Sequence, residues 1–246
     1  RVRGEGVTGF MVDRHKFRQR LLNDALDAGA TLFDRTRVTQ PVLNGEAVTG
    51  VEIEDLRSGD ISTIEAPVTI DASGLAAVLR SKMPSEMGVE SNIEAQDTIA
   101  AYREIRANVN FESDLSEIYL SQKIAPGGYY WVFDRGNGEV NVGLGVQMKS
   151  GHPNPKDLLY ENVLSQDLFK NSKLIRGGGG IVPTRRPLST LVAEGIMFIG
   201  DAACVVNPIH GGGIGPSMLS GKLAADTAKS ALDEGNTSRE RLWGLN

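Results

Sequence analysis

The stretch IMFIGDAACVVNPIHGGGIG, residues 196–215, constrains this chain more than any other part of it. Ile196, Met197, Phe198 and Ile199 have the length and texture of a short buried strand. The strand runs directly into Gly200-Asp201-Ala202-Ala203, where side chains almost vanish. Bare backbone is what close approach to a bulky ligand requires. Asp201 sets a carboxylate at the strand's C-terminal end, where it can accept hydrogen bonds from a hydroxyl chain. The crevice beyond strand C-termini is also where α/β sheets bind ligands. A second run, Asn207-Pro208-Ile209-His210-Gly211-Gly212-Gly213-Ile214-Gly215, leads into a small-residue-rich helix expected over residues 215–232. Glycines ahead of a helix N-terminus expose amide donors that suit an anion or the polar edge of a ring. Either half alone fits a glycine-rich turn with a capping aspartate; both together, in this order, point to a bound cofactor.

The remaining texture is strand-and-helix at both ends and antiparallel in the middle. Residues 13–28 read as an amphipathic helix, N-capped by Asp13 and stopped by Gly29, with Phe17, Leu21, Leu22, Ala25 and Leu26 at helical spacing. A β-branched stretch covers 31–39. Residues 48–55 and 61–64 form an expected hairpin turned at Arg57-Ser58-Gly59-Asp60. Val68, Thr69 and Ile70 make a short strand ending in Asp71-Ala72-Ser73-Gly74. Residues 83–94 look like loop. Strands are expected over 98–109, 116–123, 129–133 and 140–148, the last two joined by a turn carrying Asn137-Gly138. Residues 155–164 read as helix, and 174–183 contain four consecutive glycines. One domain interrupted by another accounts for this order. Tyr129, Trp131 and Phe133, at spacing two, project from one strand face and offer a flat apolar surface; an ordinary sheet core is the competing reading.

Charge and composition exclude several classes. The net charge is 26 − 31 = −5, and no strong basic patch occurs, which argues against a nucleic-acid partner. One cysteine, Cys204, rules out a disulfide framework or a four-cysteine metal cluster within the chain and reads as a packing residue. No apolar run is long enough for a membrane-spanning helix. No metal site is expected. The opening RVRGEGVTGF, beginning at Arg1, reads as the middle of something longer.

The pattern Gly200-Asp201-Ala202-Ala203, Pro208, then Gly211-Gly212-Gly213-Ile214 before a helix resembles the second flavin motif of para-hydroxybenzoate-hydroxylase-like flavoproteins. Within that group it most resembles the geranylgeranyl reductase family. Val12-Asp13-Arg14 with Phe17 and Leu21 is similar to the family's helix after its first cofactor strands. The segment 68–74 resembles its strand followed by Asp-Gly/Ala-Gly, usually with Ser and Arg a few residues on; this chain has Leu79-Arg80 but Ala77 near the usual serine. Residues 128–133, GYYWVF, resemble its Tyr-x-Trp-x-Phe strand, with Asp134 in place of the usual proline. The likeness runs from about residue 12 to 229.

This resemblance implies an α/β fold of the para-hydroxybenzoate-hydroxylase-like FAD-binding type, with an inserted antiparallel-sheet (α+β) substrate domain. Residues 1–75 and 184–235 would form the FAD-binding part, 76–183 the substrate domain, and 236–246 the start of a C-terminal region. It implies FAD, bound through Arg14, Val38, Gly200, Asp201, Ala202, Pro208, Gly211, Gly212, Gly213 and Ile214. Asp201 would meet the ribityl or pyrophosphate part and the glycines the isoalloxazine. Tyr129, Trp131 and Phe133 would line an isoprenoid cavity. Arg185 and Arg186 stand at the return crossing, open to an anionic group or to solvent. His210 is the candidate proton relay, with a structural role competing. The family's Gly-x-Gly-x-x-Gly strand is expected ahead of Arg1; Gly4, Gly6 and Gly9 have the wrong spacing for it.

The implied activity is reduction of geranylgeranyl double bonds by hydride from reduced FAD. Electrons would come from an external donor, NAD(P)H or ferredoxin. The implied setting is the cytoplasm, with peripheral contact at a membrane because the substrates are lipids. A monooxygenase or halogenase of the same fold, an electron-transfer dehydrogenase and a non-catalytic prenyl-lipid binder are the rival readings.

Overall fold

A computed structural model describes residues 12–246; Gly4, Gly6 and Gly9 lie outside them. Helix α1 (Arg14–Asp27) begins where expected. The Asp13 carboxylate accepts from the His15 and Lys16 amides at 3.0 and 3.3 Å, and Gly29 turns the chain at φ 96°. None of its residues is buried, so its apolar positions are not covered by the described residues. Strands β1 (Thr36–Asn44), β2 (Ala47–Asp55) and β3 (Ile61–Glu65) form an antiparallel sheet. β1 starts later than the β-branched run suggests and continues through Pro41, which an outer strand tolerates.

A second small sheet holds β10 (Val192–Ala193), β11 (Ile196–Phe198) and β4 (Thr69–Asp71) in that order. β11 and β4 are parallel, with Phe198 opposite Asp71. β11 is buried with the small residues of α3 (Ile214–Asp233) in a core built on Val192, Ile196, Met197, Phe198, Ala203 and Ala224. The end of the chain joins the same core through Leu242 and Leu245. There a short helix, α4 (Arg239–Leu242), is N-capped by Ser238. Gly195 (φ 73°) lies so close to β2 that a Cβ would stand 2.1 Å from the Val48 carbonyl, which fixes the first sheet against the second.

The five-stranded sheet has the order β6 (Glu117–Tyr119), β7 (Tyr129–Gly136), β8 (Glu139–Gln147), β5 (Thr98–Ala107), β9 (Lys173–Pro183), all antiparallel. β6 is only a fragment of the strand expected over 116–123. One sheet face packs on α2 (Pro155–Asn162) through Val132, Val140, Val142, Leu144, Leu158 and Leu159. Glu104, fully buried, faces the same side and accepts from the Tyr102 and Tyr160 hydroxyls and from Arg106, so its charge is paired.

Asp71 is the hub of the β4 terminus. Its Oδ1 accepts from the Ser73 amide (3.0 Å) and hydroxyl, and its Oδ2 from the Leu79 and Arg80 amides at 3.1 and 3.0 Å. A buried carboxylate satisfied by four donors organises the loop to residue 80. Replacement by alanine would strand those donors, so Asp71→Ala is expected to cost about 3 kcal/mol in urea unfolding at unchanged m. A loss under about 0.5 kcal/mol would contradict this role.

Candidate functional site

Beyond β11 the chain enters a 3-10 turn (Gly200–Ala203), with Gly200 at φ 56°. The Gly200 amide donates to the buried Ser220 hydroxyl of α3 at 3.1 Å, which ties strand end to helix. Cys204, buried in the left-handed region at φ 57°, closes the turn; burial pushes its thiol pKa up, consistent with packing rather than reactivity. Residues 207–212 form a tight loop: Gly211 donates to the Asn207 carbonyl at 2.9 Å and Asn207 to that of Gly212 at 3.2 Å.

Asp201 sits half-buried beside this loop. Its carboxylate has no hydrogen-bond donor among the described residues. Burial raises its pKa, while Arg14 acts in the opposite direction. A Cβ on Gly213 would stand 3.2 Å from Asp201 Oδ1, so the glycine preserves space against the carboxylate. Gly213 caps α3 without a side chain, and Pro216 in the first turn carries no N–H. The amides of Ile214 and Gly215 are therefore without a capping side chain. An acceptor and helix-end donors meet across a cleft kept open by glycine, a combination that suits a polar ligand carrying hydroxyls and a flat ring edge.

Of the remaining cofactor candidates, Ala202 is buried under the turn, and Pro208 and Ile214 are exposed on the loop. Val38 lies on β1, in a different sheet from the one feeding this segment. His210 is exposed, and its Nδ1 accepts from the Gly212 amide at 3.1 Å, so the neutral ring carries its proton on Nε2. The imidazole thus shapes the glycine turn.

The Tyr129 hydroxyl donates to the His210 carbonyl, joining the five-stranded sheet to this loop. Tyr129, Trp131 and Phe133 form a continuous row on the sheet face opposite α2, with ring centroids 5.7 and 6.2 Å apart. The Trp131 indole donates to Asn141 Oδ1 at 3.2 Å, which holds the ring over Gly143. Register places Gly145 beside Tyr129 and Gly143 beside Trp131 on β8, with Ala101 and Arg103 next on β5 and then Gly180 and Gly178 on β9. Gly178 and Gly180 have open space where a Cβ would be, whereas one on Gly177 would stand 2.5 Å from the Tyr102 hydroxyl on the other face. The four consecutive glycines are therefore half floor and half packing, and the result is a glycine-floored trough with an aromatic wall.

Arg185 pairs with Glu90 at 2.8 Å and stands 3.9 Å from Asp97, so it ties the crossing loop to the protein. Two other hollows lie elsewhere. One of about 400 Å³ is lined by Val48, Glu65, Pro67 and Gly195, and one of about 470 Å³ by Ala100, Val146, His152 and Pro155. Neither includes the Asp201 loop or the aromatic row.

Residues 97–182 match the family model of the geranylgeranyl reductase catalytic domain. The digeranylgeranylglycerophospholipid reductase of Sulfolobus acidocaldarius is 36% identical over 250 aligned residues, covering 100% of this chain and 54% of that protein. The chain thus spans about half the length of this curated relative. Among solved structures, a geranylgeranyl bacteriochlorophyll reductase-like protein from Thermoplasma acidophilum aligns with a TM-score of 0.88 at 27% identity, covering 98% of this chain and 60% of that one. A myxobacterial FAD-dependent halogenase shares the fold, with a TM-score of 0.71 at 19% identity over 96% of this chain and 55% of its own. The α/β architecture with its antiparallel sheet is the one expected from the sequence. The catalytic-domain match over 97–182, the similarity maintained along the whole chain and the shared geometry make this chain similar to proteins of the geranylgeranyl reductase family.

Proposed function

We propose that this chain carries the flavin-facing and lipid-facing surfaces of an FAD-dependent reductase that saturates geranylgeranyl carbon–carbon double bonds of a lipid or prenyl substrate. The observation that carries the reading is the pairing of two incomplete surfaces. A half-buried Asp201 carboxylate has no hydrogen-bond donor among the described residues, and a glycine-floored aromatic trough is bonded through Tyr129 to the same loop. In this reading residues 1–75 with 184–235 serve the cofactor and 76–183 the substrate.

Bound FAD, once reduced, would supply hydride to one carbon of the alkene, and a proton from solvent would complete the neighbouring carbon. Asp201 accepts from ribityl hydroxyls, and the Ile214 and Gly215 amides face the polar ring edge. Gly211, Gly212 and Gly213 let the backbone lie flat against the ring, with Gly200, Ala202 and Pro208 shaping the approach. Arg14 supplies positive charge near Asp201, and Val38 is assigned to the far end of the cofactor. Tyr129, Trp131 and Phe133 hold an isoprenoid chain along the sheet and exclude water from it. His210 keeps the loop in shape, leaving Nε2–H as its one polar hydrogen for any proton relay. Electrons come from an external donor, NAD(P)H or ferredoxin. In this reading contact with a membrane is peripheral, because the substrates are lipids; no helix among the described residues is long and apolar enough to cross one.

Anaerobic incubation with FAD, dithionite and a geranylgeranyl substrate should give products richer by one dihydrogen per reduced bond, read by mass spectrometry. Oxygen uptake stimulated by an aromatic substrate, without alkene reduction, would support a monooxygenase instead.

Asp201→Asn is expected to weaken FAD binding about tenfold or more, since a hydrogen bond to a charged acceptor contributes about 1.5–3 kcal/mol. The same variant should melt higher than the parent in FAD-free protein at neutral pH. Because burial raises the Asp201 pKa, its stabilising contribution is present when protonated and lost as pH rises through the folded pKa. The melting advantage of the asparagine should therefore shrink as pH falls below the ordinary aspartate range. Equal FAD affinity in both proteins would remove Asp201 from the site.

Gly178→Phe projects into open space and should melt within a few degrees of the parent while abolishing isoprenoid binding. Gly177→Phe meets Tyr102 and should destabilise instead. Unimpaired binding by a folded Gly178→Phe variant would place the substrate elsewhere.

A further inference from the structure

The trough is not uniformly apolar. Arg103 rises from β5 directly across Gly143 from Trp131, and a Cβ on Gly143 would stand 2.7 Å from Arg103 Cβ and 2.3 Å from the indole. Its side chain is partly buried, and among the described residues no carboxylate bonds it. The charges acting on it are those of Arg176, Arg14 and Arg135, all of its own sign; with burial they lower its pKa. Arg176 is the diagonal cross-strand neighbour on β9, opposite Ile105 and on the same face. Of the group, Arg135 lies 3.5 Å from Asp13 and 3.7 Å from Glu139, and Arg176 also acts on the Asp13 carboxylate; among the described residues Arg103 has no ion-pair partner. In a chain of net charge −5, four guanidinium groups gather here, and Arg103 is the partly buried one without an acid partner among the described residues. A partly buried cation among like charges favours an anion.

The register also gives the trough a direction. Gly180 lies in the row of Tyr129, whose hydroxyl reaches the His210 loop. Arg176 is four residues further along β9, roughly 13 Å away at strand rise. Arg176 thus marks the end of the trough away from the loop, while Arg14 acts on both Arg103 and Asp201.

We infer that Arg103, assisted by Arg176, is a phosphate-binding subsite that anchors the anionic headgroup of the isoprenoid lipid while its chain runs past Trp131 toward the Tyr129 end. The inference rests on the trough being the isoprenoid site. Guanidinium is suited to the task because its planar donors grip phosphate oxygens in pairs. Arg103 is a binding residue in this assignment and takes no part in hydride or proton transfer.

The test compares two probes with the same chain, geranylgeranyl monophosphate and geranylgeraniol, by calorimetric titration of the FAD-loaded protein. The parent should bind the phosphate at least about tenfold tighter than the alcohol. Arg103→Gln should bring that ratio close to one with alcohol affinity unchanged, Arg103→Lys should keep part of it, and Arg176→Gln should lower it less. A ratio preserved in Arg103→Gln overturns the inference, as does an equal loss for both probes, which would mark a packing role. Loss of bound FAD with the ratio intact would assign the arginine to the cofactor's phosphate. A parent that binds both probes equally overturns the subsite and leaves the isoprenoid reading standing; a parent that binds neither overturns both.

Discussion

The parallel pairing of β4 and β11 is the constraint on which the site depends. Two three-residue strands end level with each other, Phe198 opposite Asp71, and the Ile199 amide extends the pairing to the Asp71 carbonyl at 3.1 Å. Strands this short are held because β11 is buried with α3, Leu242 and Leu245, and Asp71 at the end of β4 is buried and fully bonded. Each then releases a loop carrying an aspartate. Asp71 turns inward and is saturated by its own loop, whereas Asp201 finds no donor in the described protein. One carboxylate is thus structural and the other available, although they lie at adjacent strand ends, the usual location of ligands in α/β folds.

The five-stranded sheet adds its function through alternation. Residues facing α2 are Val132, Val140, Val142 and Leu144 and make a closed core. Their neighbours on the opposite face are aromatic along β7, glycine along β8 and β9, and charged at Arg103. A glycine in a strand interior forfeits packing and stiffness. Placing them on the face opposite α2 spends that stability where a floor must stay flat. The Tyr129 hydroxyl links this face to the loop beside Asp201, which brings the two surfaces together.

Much of this was legible in the sequence because the signals were local. The Asp13 cap, the hairpin of β2 and β3, the Asn137-Gly138 turn and the apolar strand before Gly200 are set by nearest neighbours. The spacing of Tyr129, Trp131 and Phe133 announced a shared face. Features that depend on register were not legible. Glycines 177–180 do not announce a strand, and only the pairing with β5 shows which of them form the floor. Arg103 looked like any charged residue in an alternating strand until β8 placed a glycine between it and Trp131. Arg185 read as a free cation until Glu90, 95 residues earlier, was brought against it.

The central claim is that an isoprenoid chain lies on the glycine-floored face of the five-stranded sheet. Photolabelling with a diazirine-bearing geranylgeranyl probe, followed by peptide mapping, addresses it directly. Adducts are expected on β7, β8 and β9, at residues flanking Gly143 and Gly178, and should be displaced by unlabelled substrate. Labelling confined to the exposed apolar positions of α1 or α3, or on the α2 side of the sheet, would contradict the account.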